Sequence, residues 1–497
     1  MIVFLFVLQI IFTGWTLERT RDAAEAPVRS VCRAARDRDP VDCERKMSAT
    51  PLRTWSILVS RGLDRWLVAL LALLPAASLA AVSVPNTPPG RVLGAWLDAF
   101  NSADRAREES FIKTYASWMD LENAMRWRAE TGGYDLLAIY TNDQTHVLFR
   151  VKARANAAEE IGTMQVSATE PLVVTELGTF HIPAGAKFEA VTLDSAARAR
   201  VIDHVAGAFD SYYVYPEIGK KMSAALRMRK TSREYRSIHD GRAFARKLTE
   251  DLRAVSQDKH VEVRFSYVVQ PAQLTTTNPE EESRRLAAVN CGFVKAEHLQ
   301  PNIGYVKFDM FADPEICAPT AGAAMTFLAD SDALILDLRD NNGGRAGMVE
   351  IIASYLFAER THLDDVFRRA ENTTQQSWTL SDVPGKKFIG KPVFVLTSKR
   401  TFSAAEDLSY VLTNLKRATL VGETTGGGAH PVELKRIDDH FSVTVPTGRS
   451  ISPITNTDWE GTGVEPDVKV AAAEALDVAL KLAAQEISKH APSRALP

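Results

Sequence analysis

Three times in the C-terminal half, an apolar run gives way to a turn rich in glycine or serine. The runs are Ala333–Leu338, Lys391–Leu396 and Ala418–Gly422. Continuous apolar stretches of this length, rich in Val, Leu and Ile, suit strands buried on both faces rather than strands with one wet face. The turns are Arg339–Arg345, Thr397–Ser403 and Glu423–Gly428. After the first two, helical spacing begins over Met348–Leu356 and Ala404–Leu415. Repeated strand–turn–helix units predict an α/β core. Ile303–Phe308 and Phe441–Pro446 add strands, and Pro319–Asp330 and Ala472–Ser488 add helices.

Ser403 stands where a buried strand hands over to a helix. Free N–H groups and the helix dipole favour negative charge there, which suits a nucleophile whose attack creates an oxyanion. The plainer reading is an N-cap, since serine caps helices of every kind. The pair Gly343 and Gly344, at the end of another buried strand, lets backbone N–H groups turn toward a ligand. An ordinary Asn-Gly turn is the plainer reading there. His260 falls at a helix-to-strand turn, where a lone histidine is usually a surface residue.

The chain has 497 residues, enough for two or three domains, and a 45% apolar fraction ordinary for globular proteins. Net charge is −3, and no basic stripe argues for nucleic acid. No CxxC or paired-histidine spacing suggests a metal, and no cofactor motif is present. Cys291 and Cys317 can pair in an oxidising compartment. Near the N-terminus, Arg53, Arg61 and Arg65 precede the Leu/Ala-rich run Trp66–Ala80, which contains Pro75 and ends in small residues. This is the pattern of a secretory signal over 47–81, cleaved after Ala80. Met47 is then the start, and 1–46 an upstream extension of the reading frame. The other reading is membrane association through two N-terminal anchors. Either way the body is expected to be exported, to the periplasm or the cell exterior.

Residues 90–188 read as helices over Arg91–Phe111 and Phe111–Thr131, then period-two strands over Tyr134–Tyr140, Thr145–Lys152 and Ile161–Ser167. That order makes a small α+β domain and resembles cystatin-like and nuclear-transport-factor-like cones. Its His146 and His181 read as ordinary strand residues. Leu193–Arg229 and Asp240–Val255 predict a helical bundle within 189–260, and Gln270–Arg285 reads as a polar, mobile segment. The core covers 261–475, and 476–497 form a closing helix and tail.

Leu336–Gly344, Thr401–Glu406, Ala418–Gly428 and Gly461–Asp467, in this order, resemble the tail-specific (C-terminal processing) and tricorn-core serine peptidases. The nearest branch is the interphotoreceptor retinoid-binding protein-like one, and the likeness covers about residues 190–475. It implies a ClpP/crotonase-like ββα core preceded by a helical bundle, and a polypeptide substrate. It also implies a nucleophile at Ser403 and an oxyanion hole from the N–H groups of Ala404, Gly343 and Gly344. The Ser–Lys dyad of tail-specific members is missing, because Gly427 stands where their lysine would be and Lys399 and Lys416 lie elsewhere. Tricorn-like members use a histidine from the segment before the core, which His260 matches in Asp258–His260. Glu460 matches the family's acid, with Glu406 and Glu465 as alternatives, and His430 is a rival base. Residues 261–302 leave no room for a PDZ module. The same likeness leaves open a non-catalytic carrier of hydrophobic ligands.

Overall fold

In a computed structural model, residues 82–490 are described, apart from 184, 192 and 274–278. The expected signal segment at 47–81 and the upstream extension 1–46 lie outside the described residues. Among the described residues no helix is long and apolar enough to cross a membrane.

The described chain opens with helices α1 (Pro88–Ser102), α2 (Arg105–Tyr115) and α3 (Leu121–Thr131). The sequence pattern predicts one helix over Arg91–Phe111 where the structure has two. Asp104 breaks them by capping α2 through its side chain, which accepts from Ala106 N. Strands β1 (Tyr134–Asn142), β2 (His146–Ala153), β3 (Glu159–Val166) and β4 (Val174–His181) form an antiparallel meander in that order. Trp96, Phe100, Tyr134 and Phe149 pack between its face and the helices. β4 has no alternating apolar pattern and is not predicted from sequence.

Next come α4 (Ser195–Tyr212), α5 (Pro216–Arg229), the short α6 (Arg233–Ser237) and α7 (Gly241–Ser256). One long expected helix is two here, because Pro216 starts α5 and cannot continue α4. These helices pack on a three-stranded antiparallel sheet of β5 (Glu262–Phe265), which follows α7, with two strands from much later in the chain. The segment expected to be mobile instead includes α8 (Pro279–Ala288).

The core follows with β6 (Phe293–Leu299), β7 (Ile303–Phe308), α9 (Pro314–Phe327), β8 (Ala333–Asp337) and α10 (Ala346–Ser354). Then come the hairpin β9 (His362–Arg368) and β10 (Thr373–Trp378), β11 (Val393–Thr397), α11 (Ala404–Asn414) and β12 (Thr419–Gly422). The chain closes with β13 (Val432–Arg436), β14 (Phe441–Pro446), β15 (Gly448–Ile451), β16 (Val468–Lys469) and α12 (Ala475–His490). The main sheet has the order β16-β12-β11-β8-β7-β6, parallel except for the β6 edge. Alternation within it is strict. Leu334, Leu336, Val393, Val395 and Leu420 enter one core. Ile335, Phe394, Leu396 and Val421 enter the other, under α12. Both faces are covered, which is why these strands read as unbroken apolar runs.

Two consequences of this topology build the site. First, β8, β11 and β12 are parallel neighbours, so the turns at their C-terminal ends converge. Those turns carry Gly343–Gly344, Ser403 and Gly426–Gly428, and the carboxyl ends of parallel strands are where such sheets bind ligands. Second, β5 and β13 both pair antiparallel with β14, so they run the same way. His260 precedes β5 by two residues and His430 precedes β13 by two, which places both at one end of that sheet.

Cys291 and Cys317 form a disulfide inside the core that holds Phe308 and Phe311. It closes a separation of 26 residues, and on loop-closure entropy contributes about 3 kcal/mol. The Cys291→Ala/Cys317→Ala protein is expected to lose roughly that much in urea unfolding. An unchanged midpoint would remove the cross-link from the account of stability.

Candidate active site

Ser403 has φ 54° and ψ −120°, far from the extended backbone of an ordinary N-cap. Ser403 and Glu406 are nevertheless arranged as a capping box, in which Glu406 Oε2 accepts the Ser403 N–H at 2.8 Å. The strained conformation is held from several sides. Phe402 N donates to Asn341 O at 3.0 Å, and Thr401 Oγ1 donates to Leu338 O at 2.8 Å. A non-glycine residue persists at such φ only where its surroundings fix it.

Glu406 is fully buried and ties two turns together. Besides Ser403 it accepts from Gly427 N at 2.6 Å, Gly428 N at 2.9 Å and Thr425 Oγ1 at 2.5 Å. Burial raises its carboxyl above the usual range, while these donors oppose the rise. These four donors engage both carboxylate oxygens, so Glu406 ties the Ser403 turn to the Gly426–Gly428 turn. Glu465, the other alternative, is exposed and paired with Lys469.

The glycine turn is fixed by Asn341, whose Nδ2 donates to Phe308 O at 2.8 Å. Its Oδ1 accepts the Gly343 N–H at 2.8 Å. This departs from the expected role of Gly343, since its N–H is already engaged inside the turn. Phe311 N donates to Gly343 O and Arg345 N to Phe311 O, both at 2.8 Å, which turns Gly344 N–H away from Phe311. Among the described residues neither Gly344 N–H nor Ala404 N–H finds an acceptor, and both residues line one cavity with Ser403. A methyl at Gly343 would stand 2.7 Å from Phe402 O and from Ser403 Cβ, at φ +95°. Gly343→Ala should therefore dislodge the Ser403 turn and reduce activity at least 100-fold, read as kcat/KM beside the thermal midpoint. Near-normal activity would show that the turn does not need this approach.

The cavity holds 640 Å³ and is lined by Ser403, Gly344, Ala404, Gly428, His430 and Trp459 among others. His260 packs immediately beside it. Its ring centroid is 4.6 Å from that of Phe402, and its Cε1 lies 2.7 Å from where a Gly428 methyl would sit. Only glycine at 428 leaves room for that imidazole. His260 Nδ1 is buried without a hydrogen bond, 4.0 Å from Asp258 Oδ1. Burial pushes its pKa down to about 4, against the opposing charge of Asp258. His260 is therefore neutral, and able to accept a proton, across the physiological range.

Asp258, 1% exposed, joins the two histidines. Its Oδ1 accepts the His260 backbone N–H at 2.9 Å, and its Oδ2 bonds His430 Nδ1 at 2.6 Å and Tyr213 Oη at 3.1 Å. In the sequence Asp258 stands out only as a member of Asp258–His260. A carboxylate two residues before the histidine was the available signal. Glu460 lies differently from the expectation that it orients His260. Its Oε2 accepts Ala429 N–H at 2.6 Å and sits 3.5 Å from His430 Nδ1. Burial first, then the Asp258 charge, raise its pKa to about 7. Donor atoms of Asp258, His260 and Glu460 lie within 4.8 Å of one another, near enough to consider a cation. Asp258 Oδ2 is already bonded to His430 Nδ1 and Glu460 Oε2 accepts the Ala429 N–H, so two of the three residues are held as an acid–base cluster with His430. Among the described residues no hydrogen bond joins Ser403 Oγ to either imidazole, as is common before substrate closes the geometry.

Peptidase family S41 matches residues 302–470. The N-terminal domain of peptidase S41 in eukaryotic IRBP matches residues 188–304. The chain belongs to peptidase family S41. The first match covers the main sheet except its β6 edge, with the three turns, and the second covers α4–α7, β5 and β6, with His260 between α7 and β5. The mixed α/β fold agrees with the class read from the sequence.

Among related S41 sequences is carboxyl-terminal-processing peptidase 1, chloroplastic, of Arabidopsis thaliana. It is 28% identical over 181 residues, covering 35% of each chain. The carboxyl-terminal-processing protease of Synechocystis sp. is 30% identical over 166 residues, 33% of this chain and 37% of that one. The matched stretch thus spans about a third of the length of these curated relatives. Among solved structures, mature CPAF matches with TM-score 0.44 at 12% identity, over 60% of this chain and 99% of that one. The photosystem II D1 C-terminal processing protease matches with TM-score 0.37 at 17% identity, over 56% and 94%.

Proposed function

We propose that this chain is an exported serine peptidase that cleaves polypeptides through an acyl-enzyme. Ser403 is the nucleophile and His260 its base, with buried Asp258 supplying negative charge beside the imidazoles and Glu460 adding to it in its ionised form. The N–H groups of Gly344 and Ala404 receive the oxyanion, and Gly343 shapes that hole from behind. The observation that carries this reading is the strained Ser403 turn, opening into a cavity beside two N–H groups that have no acceptor. A serine used only as a cap needs neither feature. Family membership and the names of the relatives support the same chemistry.

The expected steps follow from the groups present. Ser403 Oγ attacks the scissile carbonyl as its proton passes to neutral His260, and the backbone donors stabilise the charge on oxygen. Water then repeats the sequence on the acyl-enzyme. Export is supported by the Met47–Ala80 pattern and by the Cys291–Cys317 disulfide, which suits an oxidising compartment.

A second reading, a carrier of hydrophobic ligands, has one observation in its favour. An apolar pocket of 570 Å³ lies between α9 and α10, walled by Pro319, Phe327, Ile351, Tyr355 and Val383. A peptide-library digest with the full chain separates the two. Cleavage that disappears in Ser403→Ala supports the peptidase. No cleavage together with stoichiometric retention of a fluorescent fatty acid supports the carrier.

A further inference from the structure

His430 is the one imidazole among the described residues that line the Ser403 cavity, and the proposed mechanism leaves it without a proton to move. Its side chain is 3% exposed, and its ring lines the same wall as Ser403, Ala404 and Gly344. Nδ1 is fixed by the 2.6 Å bond to buried Asp258, which leaves Nε2 as the ring's other exchangeable position. Nε2 is buried and has no hydrogen-bond partner among the described residues. Tyr215 meets the ring edge-on, with centroids 5.6 Å apart, and limits its rotation. A buried polar atom without a partner is costly and calls for an explanation. Here the adjoining cavity is where a partner would arrive.

We infer that His430, positioned by Asp258, is a second catalytic histidine, which protonates the leaving amine of the scissile bond from Nε2. The inference rests on the peptidase reading above. The two imidazoles are suited to different tasks. His260 is neutral. For His430, burial is outweighed by the hydrogen bond to Asp258 and the charges of Glu460 and Asp258, so its pKa is raised. Environments that push two titratable groups apart in this way separate a base from an acid.

The proton inventory closes. Ser403 Oγ bonds to the carbonyl carbon, and its proton goes to His260. On collapse, the C–N electron pair leaves with nitrogen, which takes the Nε2 proton of His430. His430 is then neutral, still donating from Nδ1 to Asp258. His260 gives its proton to solvent, and His430 regains one from it. In deacylation, water adds to the acyl carbon as its proton passes to His260. That proton returns to Ser403 Oγ when the C–O bond breaks.

The test compares three readouts in wild type and in His430→Ala and His430→Asn. These are labelling by a fluorophosphonate, hydrolysis of a peptide amide, and hydrolysis of the ester with the same acyl group. Fluoride and the phenoxide of an aryl ester, used as the ester substrate, leave without protonation, whereas an amine needs a full proton. The expected result is amide kcat/KM down about 100-fold or more, with ester turnover and labelling reduced less than about tenfold. Equal losses on amide and ester in both variants would make His430 structural and overturn the inference. Loss of labelling in both would make it the base that activates Ser403, which also overturns it. Wild-type amide turnover in either variant would do the same. If wild type shows no labelling and no hydrolysis, the peptidase reading itself has failed, a result distinct from all of these.

Discussion

Replacing Ser403 by alanine is expected to abolish hydrolysis, with kcat falling on the order of 10⁶-fold. The fold should survive, for a reason visible at the turn. Glu406 accepts the backbone N–H of residue 403, not its hydroxyl, and alanine keeps that N–H. The links of Glu406 to Gly427 and Gly428 are untouched. Activity and stability should therefore separate completely in this variant. A large fall in the thermal midpoint would mean that the hydroxyl is structural, as the N-cap reading holds. Residual hydrolysis above about 10⁻³ of wild type would place the nucleophile elsewhere.

The second large effect belongs to His260. His260→Ala should lower the rate of Ser403 modification by several orders of magnitude, because His260 is the imidazole that packs against Phe402 and Gly428. The pH dependence gives a separate check. Burial holds His260 near a pKa of 4, and the neutral form is the active one. Modification should thus stay on its plateau as pH falls from 7 to about 5, and drop only near 4. An acid limb centred near the ordinary histidine value, about 6.5, would remove His260 from the role. The same shift has a sign in stability. The folded pKa lies below the unfolded one, so between about 6.5 and 4 the unfolded chain binds the extra proton. His260 accordingly lowers stability as pH falls through that window, and its contribution is restored above it.

Much of this was legible because buried parallel strands write themselves plainly. Val393–Leu396 and Leu334–Leu336 are apolar on both faces, and each ends in a turn with distinctive residues. The four-motif order then fixed the family. Features that depend on tertiary contact were not legible. The polar strand Thr373–Trp378 has no apolar face and gained its place only by pairing with His362–Arg368. The conformation of Ser403 depends on Asn341 and Leu338, residues on another strand's turn. Engagement of Gly343 N–H by Asn341 is likewise invisible in a Gly-Gly pair. Glu460 matches a family motif, yet lies beside His430 rather than bonded to His260. Asp258, which bonds both histidine segments, was in view as sequence but not as a hub. The parallel run of β5 and β13 beside β14 brings those segments together across 170 residues of chain, and no local pattern reports it.

The most direct measurement is to treat the full chain with a fluorophosphonate and locate the adduct by mass spectrometry, in wild type and in His260→Ala. The account predicts one adduct, on Ser403, that is lost or slowed by several orders of magnitude in the histidine variant. A folded wild-type protein that stays unmodified, or carries its adduct on another serine, would contradict the assignment of Ser403 as an activated nucleophile.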